Sequence, residues 1–369
     1  MDFSWSDEQL AFKNTVVQFA REELNSDLVN RDKQGVFSHE NWRKCAEFGI
    51  QGLSVPALYG GRDTDILTAL LAMEGMGYGC RDNGLTFALN AQMWTVQLPI
   101  VNFGTEAQKQ RYLPDMCNGQ LIGAHGITEP EAGSDVFSLS THAEKCPGGY
   151  RLNGTKKFVS LAPVADLALI FATIDPDLGR WGVTAFIVEK SMPGFGVSPV
   201  REKMGLRTVP MSELTFEDCF VPVENRLGPE GAGVGISSSS LEWERCCILA
   251  SQLGAMEYQL ETSINYARKR RQFGQSIGKF QSVSNRIADM KVCLETARLL
   301  LYKVAWLKKM GKPAMMEAAL CKLYLSECFV ESSLSAIRIH GGNGYMTEFE
   351  VERDLRDAVG GVIYGGTSD

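Results

Sequence analysis

The chain has 369 residues, of which 44% are apolar and 22% charged, as in an ordinary globular protein of two or three domains. Its formal net charge of −7 argues against nucleic-acid binding, because contact with phosphates calls for a basic face. No apolar run reaches the roughly 18 residues of a membrane span, and residues 1–8 lack the basic and apolar stretches of a signal peptide. We therefore expect a soluble, cytoplasmic protein without a membrane segment.

The first part of the chain has the pattern of helices separated by glycine turns. Ser6 stands three residues before Gln9, the spacing of a capping box at a helix start. Turns are indicated at 59–61 and at Asn118-Gly119. This pattern predicts an N-terminal helical domain over residues 1–120.

The next part changes to short β-prone runs separated by turns that contain glycine or proline. The runs are Phe158–Ser160, Leu167–Thr173, Val183–Glu189 and Glu213–Phe216. Their length and spacing predict a middle antiparallel β domain, a sandwich or a barrel, over residues 121–233.

The last part carries apolar residues that step by three and four, the period of packed helices. One stripe consists of Val283, Ile287, Met290, Leu294, Ala297, Leu301 and Val304, and a second of Met316, Leu320, Leu323, Val330, Leu334 and Ile337. We therefore expect a C-terminal four-helix bundle over residues 234–369. The whole chain is predicted to be α+β, with the β domain between two helical ones.

Common nucleotide and metal signatures are missing from the sequence. The glycine-rich stretch 228–235 does not follow the G-x-G-x-x-G order and is not part of a βαβ unit, so a Rossmann site is not predicted. The ten cysteines and four histidines lack zinc-ligand spacing, and no metal site is expected.

Six segments in the same order together resemble the acyl-CoA dehydrogenase flavoprotein family. They are Ile127–Asp135, Asn153–Ser160, Arg270–Gly274, Gly341–Tyr345, Arg356–Ala358 and Ile363–Thr367. The resemblance extends over essentially the whole chain. Within the family, the stretch from Trp243 to Arg286 is most similar to the dehydrogenases that oxidise prolyl groups on peptidyl carrier proteins.

The resemblance implies an FAD cofactor bound without a Rossmann motif, in a homotetramer. The family's flavin contacts correspond here to Ile127, Thr128, Gly133, Ser134, Phe158, Ser160, Gly342 and Thr367. A second group, Arg270, Gln272, Phe273 and Gln281, matches positions that reach the FAD of a neighbouring subunit. Small residues let a backbone approach the ring system, and an arginine fork suits a diphosphate. Arg338 stands where many members have a flavin-contacting glutamine, so it is not included.

The catalytic base is expected at Glu244. In the largest branches of the family the base lies in a Tyr-Glu-Gly-Thr motif, which here reads Tyr-Gly-Gly-Thr, with Gly365 in the place of the glutamate. A second branch takes its glutamate from the helix that opens the C-terminal bundle, and Glu244 is the matching residue.

Helical spacing supports this choice independently of the resemblance. Leu241, Cys247 and Ile248 lie three or four residues from Glu244, which gives its face an apolar character. A carboxylate on such a face has a raised pKa, as a general base requires. Glu242 is expected to pair with Arg245 on a polar face, and a structural role for Glu244 beside a buried arginine is the alternative.

The mechanism implied by the resemblance is an α,β-dehydrogenation of an acyl thioester. Glu244 removes the α-proton, the Gly365 N–H and a ribityl hydroxyl hold the enolate oxygen, and the β-hydride passes to flavin N5. Glycine at position 365 leaves room for a branched, cyclic or amino-bearing acyl group.

Three questions remain open in the sequence. The thioester is carried on CoA or on a carrier protein, and the local resemblance favours the carrier protein. An electron-transfer flavoprotein is the expected electron acceptor, whereas an oxidase would use oxygen. A non-catalytic scaffold that keeps the fold is the remaining alternative.

Overall fold

The computed structural model describes residues 4–369. The helices are α1 Asp7–Glu23, α2 Leu28–Gln34, α3 His39–Phe48, α4 Ile66–Gly79, α5 Asn83–Gln92, α6 Leu98–Phe103, α7 Glu106–Cys117, α8 Gly233–Cys247, α9 Ala250–Lys269, α10 Gln281–Lys309, α11 Met315–His340, α12 Gly342–Tyr345 and α13 Val351–Gly361. The strands are β1 Gly123–Gly126, β2 His142–Cys146, β3 Gly149–Ser160, β4 Leu167–Thr173, β5 Val183–Glu189, β6 Phe195–Val197, β7 Met211–Pro222, β8 Arg226–Leu227, β9 Arg271–Gln272 and β10 Gln275–Ser276. The order of helices, then strands, then helices confirms the predicted architecture, while the boundaries at 120 and 233 stay predictions.

The N-terminal helices begin where the sequence indicates. The Ser6 side chain accepts a hydrogen bond from the Gln9 backbone N–H, and the Gln9 side chain accepts one from the Ser6 N–H. This reciprocal pair is the predicted capping box. Within residues 4–369 no helix is both long and apolar enough to cross a membrane.

The middle region is one eight-stranded sheet in the order β6-β7-β3-β2-β4-β5-β8, with β1 paired to β4. Most neighbours are antiparallel, as predicted. Two pairs differ: β1 runs parallel to β4, with Gly123 opposite Leu167 and Gly126 opposite Ile170, and β2 meets β4 in parallel at His142 and Thr173. β4 is buried along its whole length, so this strand forms the centre of the domain's core.

The C-terminal helices pack with α4 of the N-terminal region into one continuous core. The predicted stripe on α10 is confirmed over most of its length. The buried stripe residues are Met290, Leu294, Ala297, Leu301 and Val304. The helix predicted from the second stripe is confirmed as α11, although Met316, Leu320 and Leu323 at its start are exposed and the neighbouring face is buried. α11 therefore turns an apolar face to the outside of the single chain.

α13 is tied to both other parts of the molecule. The Asp357 carboxylate accepts hydrogen bonds from the Leu206 backbone N–H at 2.5 Å and from Asn83 Nδ2 at 3.1 Å. One turn earlier, Asp354 pairs with Arg81 at 2.8 Å. These contacts fix the chain segment that follows α13.

Candidate active site

Glu244 lies on the last turn of α8, next to the buried residues Cys247 and Ile248. Among residues 4–369 its carboxylate has no ion pair and no hydrogen bond. Burial raises the pKa of Glu244 to about 7, against the opposing charges of Arg245 and Lys322. The group is therefore a carboxylate without a partner whose pKa lies close to neutral pH, as a general base requires.

The C-terminal turn, Tyr364–Thr367, runs directly beside this carboxylate. Gly365 has a φ of +66°, which glycine adopts without strain. A Cβ at Gly365 would lie 3.7 Å from Glu244 Oε1, in ordinary van der Waals contact. Position 365 and the Glu244 carboxylate thus face the same small space, although they are far apart in sequence.

Arg245 and Tyr364 hold this turn in place. Arg245 Nε donates to the Gly365 carbonyl at 3.0 Å. The Tyr364 hydroxyl accepts from Gln252 Nε2 at 2.7 Å, and its ring packs against Phe87 with the centroids 4.9 Å apart. The Gly365 backbone is therefore fixed from two sides next to the Glu244 carboxylate.

The expected pairing of Glu242 with Arg245 is wrong. Glu242 instead accepts from Lys308 Nζ at 2.7 Å, and the same ammonium lies 3.9 Å from the centroid of the Trp243 ring. Arg245 is drawn to the C-terminal turn, which the local helical spacing could not indicate. The alternative in which an arginine pairs directly with Glu244 also finds no support in these contacts.

Lys322 is a functional candidate that the sequence analysis did not select. It lies on α11, only 4% exposed, and its Nζ has no hydrogen-bond partner among residues 4–369. Burial lowers its pKa, and its charge acts on both Glu244 and Arg245. One turn along α11, Ser326 lies against Gly361, close to Tyr364. A lysine within an amphipathic helix normally indicates a solvated position, so no sequence signal singled it out.

The loop between β1 and β2, residues 127–141, is called the Thr128 loop here. It is anchored by Glu129, which pairs with the fully buried Lys156 of β3 at 2.6 Å. The Glu129 carboxylate also accepts the backbone N–H groups of Ser140 and Thr141. Burial alone would raise the pKa of Glu129, but Lys156 and these donors lower it to about 2. The loop is thereby closed on itself and fastened to the sheet.

A second contact brings the Thr128 loop to the end of β3. The Lys157 backbone N–H donates to the Thr128 carbonyl at 2.8 Å. The next residue, Phe158, has a φ of +57° at a break in the β3–β7 register, and its ring is 60% exposed. A Cβ at Gly133 would meet nothing within 4 Å, so the loop also borders open space.

These features fit a flat aromatic cofactor. A large aromatic side chain held outside the sheet in a strained conformation is free to cover a ring face. Thr128, Ser134 and Ser160 supply hydroxyls nearby in the chain, and none of them is fully buried. The structure thus brings together Ile127, Thr128 and Phe158 of the predicted flavin contacts.

The second predicted group lies elsewhere and points outward. Arg270 directly follows α9 as its C-cap, Gln272 belongs to β9, and Gln281 is the first residue of α10. Phe273, at the tip of the β9–β10 hairpin, is 93% exposed. Among residues 4–369 no hydrogen bond or ion pair joins this hairpin to the Thr128 loop. Gly342 at the start of α12 and Thr367 also border open solvent.

Three family models cover the chain almost end to end. The N-terminal domain of acyl-CoA dehydrogenase matches residues 6–120, the middle domain residues 124–219 and the C-terminal domain residues 231–369. Fold and site define an FAD-dependent oxidoreductase that acts on CH–CH bonds. The chain belongs to the acyl-CoA dehydrogenase family.

The chain is similar over its whole length to proteins that act on carrier-bound proline. It is 44% identical over 370 aligned positions to the L-prolyl-[peptidyl-carrier protein] dehydrogenase of Pseudomonas fluorescens. The alignment covers 100% of this chain and 97% of that protein. Among solved structures, the prolyl acyl carrier protein oxidase AnaB is 51% identical with a TM-score of 0.98, over 99% of this chain and 97% of AnaB. The structure of PigA with FAD and proline is 40% identical with a TM-score of 0.98, and the match covers 100% of this chain and 96% of PigA.

Proposed function

We propose that this protein oxidises a prolyl thioester carried on a peptidyl carrier protein, with Glu244 as the catalytic base. The observation that carries the proposal is the unpartnered Glu244 carboxylate beside the side-chain-free Gly365. The similarity to the Pseudomonas dehydrogenase and to AnaB supports prolyl as the acyl group.

Glu244 removes the α-proton of the thioester. With a pKa of about 7, the carboxylate is partly ionised at neutral pH and becomes increasingly so above it, and it is a stronger base than an ordinary glutamate. Arg245 acts as a positioning residue, because its guanidinium holds the Gly365 carbonyl and so orients the turn next to the base.

The Gly365 backbone N–H is the proposed donor to the thioester oxygen as negative charge develops there. A pre-positioned N–H needs no reorganisation during the reaction, and the contacts at Arg245 and Tyr364 keep it in place. The missing side chain at Gly365 also leaves room for the five-membered prolyl ring beside the carboxylate.

FAD is the proposed acceptor of the hydride from the β-carbon. Its ring system would be held by Ile127, Thr128, Gly133, Ser134, Phe158 and Ser160, with Gly342 and Thr367 as further contacts. The outward-facing Arg270, Gln272, Phe273 and Gln281 would reach the diphosphate and adenosine of the cofactor in a neighbouring subunit.

A homotetramer would explain the exposed apolar faces of α10 and α11. Leu299 and Trp306 on α10 are exposed, as are Met316, Leu320 and Leu323 on α11. Contiguous apolar surface of this kind indicates a subunit interface. An assembled tetramer would also bring the Phe273 hairpin of one subunit to the cofactor of another.

A second candidate differs only in the electron acceptor. The AnaB protein is named an oxidase, whereas the Pseudomonas relative is named a dehydrogenase. An oxidase releases hydrogen peroxide in air in proportion to substrate consumed, and a dehydrogenase needs an electron-transfer flavoprotein or an artificial acceptor. Peroxide measurement during turnover in air separates the two.

The test is a visible spectrum of the purified protein followed by anaerobic addition of thioesters. A flavin band that bleaches with prolyl carrier protein, and not with straight-chain acyl-CoA, is the expected result. Bleaching by acyl-CoA alone would contradict the carrier-protein substrate, and a protein that never takes up FAD would contradict the cofactor assignment.

A further inference from the structure

The segment between β4 and β5, Pro176–Gly182, is an exposed loop that no function proposed above uses. Leu178 and Trp181 on this loop are 52% and 63% exposed. The Arg180 guanidinium lies 4.8 Å from the centroid of the Trp181 ring. Tryptophan and arginine are the side chains most often found at the centres of protein interfaces.

The loop is held in one conformation although it is exposed. The Asp175 carboxylate accepts the Asp177 backbone N–H at 3.0 Å, and the Ile174 N–H donates to the Gly182 carbonyl at 3.0 Å. Gly179 adopts φ 53° and ψ −131°, a backbone conformation open only to glycine. An interface that is already ordered loses less conformational entropy when a partner binds.

The loop is anchored at the beginning of the helix that carries the base. A Cβ at Gly231 would lie only 2.6 Å from the Trp181 carbonyl oxygen, so Gly231 lets the two backbones touch. α8 begins two residues later at Gly233. From Gly233 to Glu244 the helix rises about 17 Å, at about 1.5 Å per residue.

This length matches the reach of the arm that bears a carrier-bound thioester. From the serine oxygen to the thiol, a phosphopantetheine arm has about fourteen bonds. An extended chain covers about 3.6 Å for every three such bonds, which gives about 17 Å. A carrier protein seated on Pro176–Gly182 could therefore place its thioester at Glu244.

The loop carries one guanidinium beside its exposed apolar side chains, an arrangement that suits a single anionic group at the edge of an apolar contact. Lys145 and Arg226 share the single carboxylate of Glu230, at 2.7 Å and 3.4 Å. Arg180 has no ion pair among residues 4–369, so its fork is free for a carboxylate or for the phosphodiester of the arm. Asp175 and Asp177 lie at the other end of the loop, and Asp175 is engaged in capping.

We propose that Pro176–Gly182 is the docking surface for the carrier protein, with Trp181, Leu178 and Arg180 as its contacts. The inference rests on the proposed function, because it assumes a carrier-borne thioester. It adds the place at which the partner binds and the direction from which the arm approaches the base.

Steady-state kinetics with two substrates test the proposal. Prolyl thioester on a peptidyl carrier domain needs the docking surface, whereas prolyl-pantetheine presents the arm without the protein. We expect Trp181→Ala and Arg180→Glu to raise KM for the carrier substrate by about tenfold or more, as for the loss of an interface hot spot. KM and kcat for prolyl-pantetheine should change less than twofold. Leu58→Ala, which removes a still more exposed leucine on the 57–59 turn, is the control away from the loop and should change neither KM nor kcat with either substrate.

An equal loss with both substrates, or no loss with either, would overturn the docking surface. Binding of the holo-carrier domain without an acyl group is titrated in parallel, with FAD content as a check on folding. A Kd that Trp181→Ala leaves unchanged also overturns it. If Trp181→Ala weakens binding of the holo-carrier domain but the wild-type protein oxidises neither prolyl substrate, the proposed function fails while the docking surface is supported.

Discussion

Glu129 and Glu244 are two glutamates in apolar surroundings whose pKa values move in opposite directions. Glu129 is paired with Lys156 and accepts two backbone N–H groups, and its pKa falls to about 2. Glu244 has no such partner, and burial raises its pKa to about 7. The comparison shows that loss of water does not by itself decide the charge of a buried carboxylate. The supply of donors decides it.

The difference also separates the anchor of the Thr128 loop from the proposed base. The lone pairs of Glu129 are occupied, so the group can hold the Thr128 loop but cannot accept a proton at neutral pH. The lone pairs of Glu244 are free and face the space beside Gly365. Each of the following changes removes one of the two glutamates or a charge near it, or moves the carboxylate to another position.

The largest effect is expected from Glu244→Gln. The amide cannot take a proton, so kcat should fall by about 10²–10⁴-fold, the usual contribution of a general base. FAD content and the thermal midpoint should stay close to wild type, because the change is isosteric. Glu242→Gln is the control on the same helix turn, and its kcat should be unaffected. A Glu244→Gln variant with wild-type turnover would mean that another group is the base.

Lys156→Met tests the anchor. It leaves Glu129 buried without its cation, which should destabilise the protein by about 3–5 kcal/mol and lower FAD retention. Thermal unfolding and flavin release on dilution measure the two effects. Lys291→Met removes an exposed partner of Glu295 and should cost about 1 kcal/mol or less.

The double variant Glu129→Gln with Lys156→Met removes both charges together. It should recover much of the lost stability, because no unpaired charge is left. If it is as unstable as Lys156→Met alone, the cause lies in packing and not in the charge of Glu129.

Moderate effects are expected in the pH dependence of kcat/KM. The base must be ionised, so kcat/KM should rise with pH and level off above about 7, the pKa of Glu244. Lys322→Met removes a nearby positive charge that favours the ionised form. The pKa of Glu244 should then rise, and the acidic limb should shift to higher pH. Lys303→Met, an exposed lysine on α10, should leave the limb in place. A downward shift in Lys322→Met would contradict this electrostatic role.

The smallest effect is expected from moving the base. A glutamate introduced as Gly365→Glu would start 3.7 Å from the present carboxylate oxygen, so in a Glu244→Gln background its carboxylate can reach the same space. The positive φ at position 365 costs a side chain about 1–2 kcal/mol, and recovery should be partial. Rescue is measured as kcat with an unbranched acyl thioester, and Gly366→Glu serves as the control. No recovery at any pH would mean that the two positions do not share one site.

Periodicity and turns predicted the helix–sheet–helix order, the Ser6 cap and the α10 stripe, because each depends on neighbours within a few residues. The second stripe correctly predicted the helix α11, but its period could not show that Met316, Leu320 and Leu323 are exposed, since an exposed apolar face has the same period as a buried one. The parallel pairing of β1 with β4 joins segments about forty residues apart. No local pattern encodes that choice.

For the site, the resemblance pointed to Glu244, and helical spacing agreed with it. Arg245 and Lys322 could not be found in this way. Arg245 is turned by a carbonyl 120 residues further along the chain, and Lys322 is buried only because α11 packs against α8. The Glu129–Lys156 pair likewise depends on a loop meeting a strand.

The 3.7 Å between the Gly365 Cβ position and Glu244 Oε1 bears on how relatives of this protein are annotated. If Glu244 is the base, as proposed, a glutamate at either of two distant stretches of the chain can place its carboxylate at nearly the same point in space. The absence of an acidic residue from the C-terminal motif is therefore not sufficient evidence that a member of the family is inactive. Residue-by-residue alignment will miss such an exchange, and superposition of carboxylate positions will find it.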